Sequence, residues 1–192
     1  MAMTSAGQIE SVLAAAEARV SAARQQVAGD PYALDEAGRT AAGCAARIRG
    51  TAERMTATRT ALEESWAAPS GALFQARTEP LPGGIAAAER LFTGLGAGLR
   101  NLSATLRLVR GHVDAVGRFF DSYARGVRAA VSRSSALPDG MVQQVDRHSR
   151  MFAGAAEAGV RELDAALTEF STATAPLVSE LAAVRAAAPV RP

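Results

Sequence analysis

The chain has 192 residues, 48% of them hydrophobic, and a formal net charge of +2: enough apolar content for one domain or one elongated bundle, and too little charge for a nucleic-acid footprint. Aromatics make up only 5% of residues while 45 are Ala, and β-branched residues are thin, so intrinsic propensity points to an all-α fold. A single cysteine, Cys44, excludes an internal disulfide and offers no zinc spacing, and no apolar run approaches the ~18 residues that span a bilayer.

The N-terminal residues lack the basic start and apolar core of a secretory signal, so export would use a route that reads no conventional signal peptide. A first helix is expected from about Gln8 to Val27, where Ile9, Leu13, Ala16, Val20, Ala23 and Val27 alternate spacings of four and three. Gly29-Asp30-Pro31 closes it and opens the next: Asp30 can cap, and Pro31 is tolerated in a first turn, where its missing N–H has no partner to lose. The second helix, Pro31 to Ser65, repeats an apolar residue every seven positions at Leu34, Ala41, Ile48, Met55 and Leu62. Ala37, Cys44 and Ala52 lie near the complementary seam positions, and side chains this small let a partner helix approach closely. Cys44 reads as a small core residue rather than a nucleophile.

Trp66, the only Trp, stands where this helix ends. A short helix from Ser70 to about Thr78 then meets Glu79-Pro80-Leu81-Pro82-Gly83-Gly84, which predicts a kink or a break. The third helix, about Gly84 to Ser134, carries an unslipped seam through Ile85, Ala88, Phe92, Leu95, Leu99, Leu102, Leu106, Val109, Val113, Val116, Phe120, Tyr123, Val127 and Ala130. At 1.5 Å per residue it would measure ~75 Å. Its flanks are small (Gly96, Gly98, Ser103, Thr105, Gly117, Gly126), and Phe119 is expected to widen the apolar face, a pattern suited to packing against two or more helices.

Leu137-Pro138-Asp139-Gly140 is a turn, and a fourth helix is expected from Met141 to Ala187. Its seam holds Val145, Phe152, Ala156, Leu163, Leu167, Phe170, Leu177, Leu181 and Val184, with a kink at Pro176, before a fraying tail from Ala188 to Pro192. The pattern predicts an all-α, elongated, heptad-patterned bundle built on a long helix-turn-helix hairpin. Its expected divisions are an N-terminal helix (1–28), the hairpin (29–135) and a C-terminal helix with tail (136–192). Residues 67–137 carry 9 Arg against 4 acids, whereas 1–66 carry 7 against 8 and 138–192 carry 5 against 7, a balance compatible with the outer helices folding back on the third.

Candidate chemistry is sparse. His112 and His148 lie on different helices with no Cys or carboxylate at ligand spacing, which argues against a metal; Asp114 and Asp121 read as a solvent face, not an acid–base pair. Gly94-Leu95-Gly96-Ala97-Gly98 lies inside a helical pattern and follows no strand, so it is not read as a phosphate loop. No catalytic group, metal or cofactor is expected, and the chain reads as an interaction protein. All 21 basic residues are Arg, a bias that fits a high-GC, actinobacterial-type coding sequence.

The central region, roughly residues 29–130, carries Gly29-Asp30-Pro31, the Ala- and Arg-rich helix from Leu34 to Glu64, Ser65-Trp66, Gly71-Ala72 with Phe74, and Glu79-Pro80-Leu81-Pro82 leading into the heptad helix. In these residues it resembles the WXG-like family of type VII (ESX) secretion substrates and secretion-targeting domains. The family's hairpins carry Trp-x-Gly at the turn and a bulky residue about eight beyond it; Trp66 and Phe74 fit, but the position two after Trp66 is Ala68 and the nearest Gly is Gly71. The resemblance implies a non-enzymatic hairpin that pairs with itself or with a helical partner, an effector or toxin among the candidates, for recognition by the secretion machinery. It implies a recognition surface of Trp66, Gly71 and Phe74, and a partner interface along Leu95, Leu99, Leu102, Leu106, Val109, Val113, Val116, Phe120, Tyr123 and Val127. The family's Tyr-x-x-x-Asp/Glu export tag has no counterpart after the third helix, where Tyr123 is followed four residues on by Val127. The tag is therefore expected on the partner, with Tyr32 and Glu36 as an unusual alternative. The expected location is synthesis in the cytoplasm, then secretion or association with the envelope. A cytoplasmic structural or chaperone-like bundle is the rival reading, and a membrane-active or effector module in residues 138–192 a third.

Overall fold

The structure, a computed structural model, describes residues 5–66, 69–134 and 137–187. Over these residues the chain is an all-α helical bundle of five helices: α1 (Ser5–Gln26), α2 (Pro31–Ser65), α3 (Pro69–Thr78), α4 (Pro80–Arg133) and α5 (Met141–Ala187). The bounds of α2 and α5 coincide with the spacing and turn signals. The expected interruption falls at Glu79, between the end of α3 at Thr78 and the start of α4 at Pro80; the expected restart at Gly84 is corrected, because α4 holds Pro82, Gly83 and Gly84 in its opening turns. The first four N–H groups of a helix have no partner inside it, so two prolines there remove no hydrogen bond. α5 is continuous through Pro176. Gly140 has φ +79°, a left-handed turn conformation that costs glycine little and begins α5 cleanly after Asp139. The expected fraying tail at Ala188–Pro192 and the turn residues Ala67 and Ala68 lie outside the described residues.

The compact units do not follow the expected divisions at 28/29 and 135/136. One joins the stretch up to Pro31 with Ala104–Ala166; the other joins Tyr32–Ser103 with the stretch from Leu167 onward. The physical reason is length: α4 has 54 residues and α5 has 47, so each contributes to two successive cores.

In the first unit, α1 runs antiparallel to α4. Gly29 abuts Leu106, Arg24 Nη2 lies 3.3 Å from Asp121 Oδ2, and Arg128 Nη2 reaches Glu10 Oε1 at 2.8 Å and Glu17 Oε2 at 3.3 Å. The whole α1 seam, Ile9, Leu13, Ala16, Val20, Ala23 and Val27, is buried. Burial of Ile9, Leu13, Val20 and Val27 contributes roughly 1.5–3 kcal/mol for each side chain. α5 closes the other side of the same core: Gly159 admits Val113, and Phe120 meets Phe152 edge-on at 5.8 Å. Arg19 ties α1 to α5 through Glu157, Nε to Oε1 2.7 Å.

The second unit is assembled on glycines. A Cβ on Gly96 would lie 3.0 Å from the Gly38 carbonyl oxygen, so α2 and α4 meet backbone to backbone, with Ala41 and Ala45 buried alongside. Antiparallel pairing of α2 and α4 follows from Gly38 with Gly96 at one level and Arg49 Nε with Glu89 Oε1, 2.7 Å, at another. On another face of α4, Gly84, Gly94 and Gly98 receive Val184, Leu177 and Phe170 of α5, and Arg90 pairs with Glu180. The glycine cluster from Gly94 to Gly98 is thus a packing notch that serves two helices.

Two inward assignments on α2 are corrected. Gly38 and Ala45 are buried, whereas Ala37 is exposed and Cys44 half-buried. The helix presents the 38/41/45 stripe to α4 because that stripe carries the glycine that allows the close approach. Phe119 does not widen the buried face of α4; it is 68% exposed.

Candidate functional site

The junction between α2 and α3 is built from the end of each helix. α2 stops at Ser65, whose hydroxyl donates to the Ala61 carbonyl at 2.9 Å, and α3 begins at Pro69, a residue suited to a first helical position. One turn into α3, Gly71 is buried against the Trp66 backbone: a Cβ there would lie 2.7 Å from the Trp66 carbonyl oxygen. Gly71 is therefore a spacer that lets α3 close on the end of α2, and the expectation that it forms part of an exposed surface is corrected. Phe74, three residues on and so on the same face of α3, places its ring 6.1 Å from that of Trp66 at 59°.

Both rings remain in solvent, Trp66 47% and Phe74 37% exposed. Arg59 and Glu63 form an ion pair of 3.2 Å on the last turns of α2 beside them. Two rings in tilted contact, fixed by a glycine and fringed by a charged pair, form an amphipathic contact surface of the kind enriched at protein interfaces. Among the described residues no group of three His, Cys, Asp or Glu could hold a metal ion.

The ten seam residues expected to face a partner divide into two sets. Leu102, Leu106, Val109, Val113, Val116, Phe120 and Val127 are buried inside the chain, and Tyr123 is half-buried. From Leu106 onward they are covered by α1 and α5, so a partner would meet them only if one of those helices left. Leu95 and Leu99 remain half-exposed.

Tyr123 and His148 occupy the end of the first unit's core, Tyr123 Oη and His148 Nδ1 3.3 Å apart and the rings 5.5 Å apart at 80°. Burial pushes the Tyr123 phenol above its ordinary range. His112 Nε2 lies 3.3 Å from the Ala155 carbonyl oxygen and donates to it, tying α4 to α5. Asp121, expected on a free solvent face, is engaged by Arg24. Among the described residues no helix is long and apolar enough to cross a membrane. Glycines in a chain this rich in alanine were the available signal for the packing notches, since each costs a helix ~1 kcal/mol unless space demands it. The interhelical arginine pairs had no such signal.

Comparison of the chain with known protein families, with curated proteins and with solved structures finds no match.

Proposed function

We propose that this chain is a type VII secretion-associated helical protein that pairs with a helical partner and accompanies it to the export machinery. The observation that supports this reading is the exposed Trp66–Phe74 pair, held at the end of a helical hairpin by the tight approach of Gly71. A bundle that served only to fold would gain from covering an aromatic pair; keeping it in solvent suits a contact made with another molecule. The chain is made in the cytoplasm and leaves it, or joins the envelope, its partner being an effector or toxin that supplies the export tag.

The test is export itself. Trp66→Ala should fold and pair as the parent does, yet disappear from the culture supernatant, and appearance of the parent there should require the secretion ATPase. Unchanged export of Trp66→Ala would overturn the role of the junction. A second reading, a cytoplasmic structural or chaperone-like bundle, is favoured by one observation: the α4 seam from Leu106 to Val127 is already covered within the chain. Supernatant detection that is absent, or indifferent to the ATPase, would select it.

A further inference from the structure

In the first unit α1 covers one side of the α4–α5 pair, and the other side is bare. Large apolar side chains stand in solvent there: Leu108 is 73% exposed, Phe119 68% and Met151 64%. The register of the pair brings the last two together. Phe120 of α4 meets Phe152 of α5, and Phe119 and Met151 each come one residue earlier. One step back along each of two antiparallel helices turns both side chains to the same side at the same level. Leu108 lies about three turns before Phe119, ~16 Å along the same face of α4. α1 approaches α4 from the other edge, where Gly117 and Asp121 meet Arg24 and Arg128 meets Glu10.

Leu108, Gly111, Ala115, Phe119, Ser122 and Gly126 recur at threes and fours, a second seam on α4 with no charge in it. All but the half-buried Ala115 are exposed. Glycine is unfavourable inside a helix, and elsewhere in this unit the reason for it is visible: Gly117 admits Arg24 and Gly159 admits Val113. Gly111 and Gly126 have nothing within 4 Å of a Cβ position. A helix that presses its backbone onto this seam would use both glycines, whereas a lipid surface would use neither.

The charges say what that helix carries. Arg118 and Arg125 border the seam on α4, and Arg147 stands one turn before Met151 on α5; all are exposed, and among the described residues none has a carboxylate partner. Arg125 gives one N–H to the Asp121 carbonyl of its own helix. The acids of α4, Asp114 and Asp121, lie one step further round toward α1, and Glu162 of α5 lies at the Leu108 end. A second copy laid on this face would set arginine against arginine. Its complement is an acidic amphipathic helix, with apolar residues at threes and fours to cover Leu108 and Phe119 and carboxylates on the flanks to meet the arginines.

Resting on the pairing role proposed above, we infer that the bare α4–α5 face, and not the covered α4 seam, is where the partner docks, and that the partner presents to it an acidic amphipathic helix.

A labelled peptide of about 20 residues, with Leu and Ala at seam positions and Glu on both flanks, is the probe; a Lys-flanked twin is its control. Fluorescence anisotropy is read against the full chain. The parent should bind the Glu peptide with a Kd on the order of 10–100 μM, about tenfold or more tighter than the Lys peptide, and salt should narrow the gap. Phe119→Glu should weaken the Glu peptide roughly tenfold. Gly126→Leu fills the seam while raising helix propensity, so it should weaken binding by a similar factor without lowering the melting temperature. Arg125→Glu combined with Arg147→Glu should invert the preference and take the Lys peptide, a gain that misfolding cannot mimic. A parent that binds neither peptide, or both alike, overturns the inference, as do variants that bind as the parent does. Phe119-dependent binding to phosphatidylglycerol vesicles, or a Phe119-dependent dimer in sedimentation equilibrium, without peptide binding would overturn it in favour of a bilayer or a second copy. Failure of these arms leaves the Trp66 export test untouched, and loss of export by Trp66→Ala with peptide binding intact separates the two readings.

Discussion

One compact unit joins α1 to parts of α4 and α5, the other joins α2 and α3 to the remaining parts, and the two bury different chemistry. The unit containing α1 fills its centre with Ile9, Leu13, Val20, Val109, Val113 and Phe120, all nearly inaccessible, and closes it with ion pairs from α1 to both neighbours. The unit containing α2 buries Gly38, Ala41, Ala45, Ala87 and Gly96 with two leucines, Leu91 and Leu102, while Ile48, Leu95, Leu99 and Phe92 stay half-exposed. Large interdigitating side chains remove much apolar area from water per residue; glycine and alanine contacts bring backbones together but remove little. The core of the first unit is therefore self-sufficient, and the large apolar side chains that the unit shows to solvent lie outside it, on the face of Leu108, Phe119 and Met151. The second keeps apolar area in reserve along its own core, and it is also the one that carries Trp66 and Phe74.

The largest expected effect sets the two cores against each other. Phe120→Ala should destabilise the first unit by about 3–5 kcal/mol, whereas Phe92→Ala, at a half-exposed site, should cost about half as much or less. Chemical denaturation followed by amide exchange assigns each loss to its unit; equal losses would erase the distinction drawn above. Next is the sign of a single added methyl. Gly96→Ala presses on the Gly38 carbonyl and the Ala42 amide, backbone atoms that cannot rotate away, so it should destabilise by roughly 1–3 kcal/mol. Gly126→Ala in α4 of the first unit has nothing within 4 Å and should stabilise by up to about 1 kcal/mol through helix propensity. Thermal melts of the two variants should move in opposite directions.

The smallest effect is electrostatic. Arg128 hydrogen-bonds Glu10 and Arg19 hydrogen-bonds Glu157, and these bonds hold both carboxyls below the usual carboxylate range. A carboxyl whose folded pKa is depressed adds stability above its unfolded value of about 4.3, and that stability is lost as pH falls through the folded value. Amide exchange in α1 should accelerate below about pH 4, while the fluorescence of Trp66, in the other unit, holds. The pairs are solvated, so Arg128→Gln should cost under about 1 kcal/mol at neutral pH.

Much of this architecture was legible beforehand, for identifiable reasons. The α1 seam, the bounds of α2 and α5, and the Leu137–Gly140 turn follow from periodicity and turn chemistry, which act within a few residues. The start of α4 was misplaced because Pro80 and Pro82 look like breakers unless they fall within the first turn. At the candidate site, only the resemblance named Trp66 and Phe74 together, and the burial of Gly71 had no signal at all, because the approach of α3 to a carbonyl oxygen is a matter of three-dimensional path. The identities of Arg128's partners, 111 and 118 residues away, left no trace in local pattern.

The sequence by itself determined that this protein is helical and where its helices run, because helix propensity, capping and apolar spacing are local properties of the chain. Only the tertiary structure decided which stripe of each helix is spent inside. One continuous α4 seam is buried where α1 covers it and half-open where α2 meets α4 through glycines. That difference arises from contacts between segments far apart in sequence, and those contacts leave the Trp66–Phe74 pair and the Phe119–Met151 face in solvent.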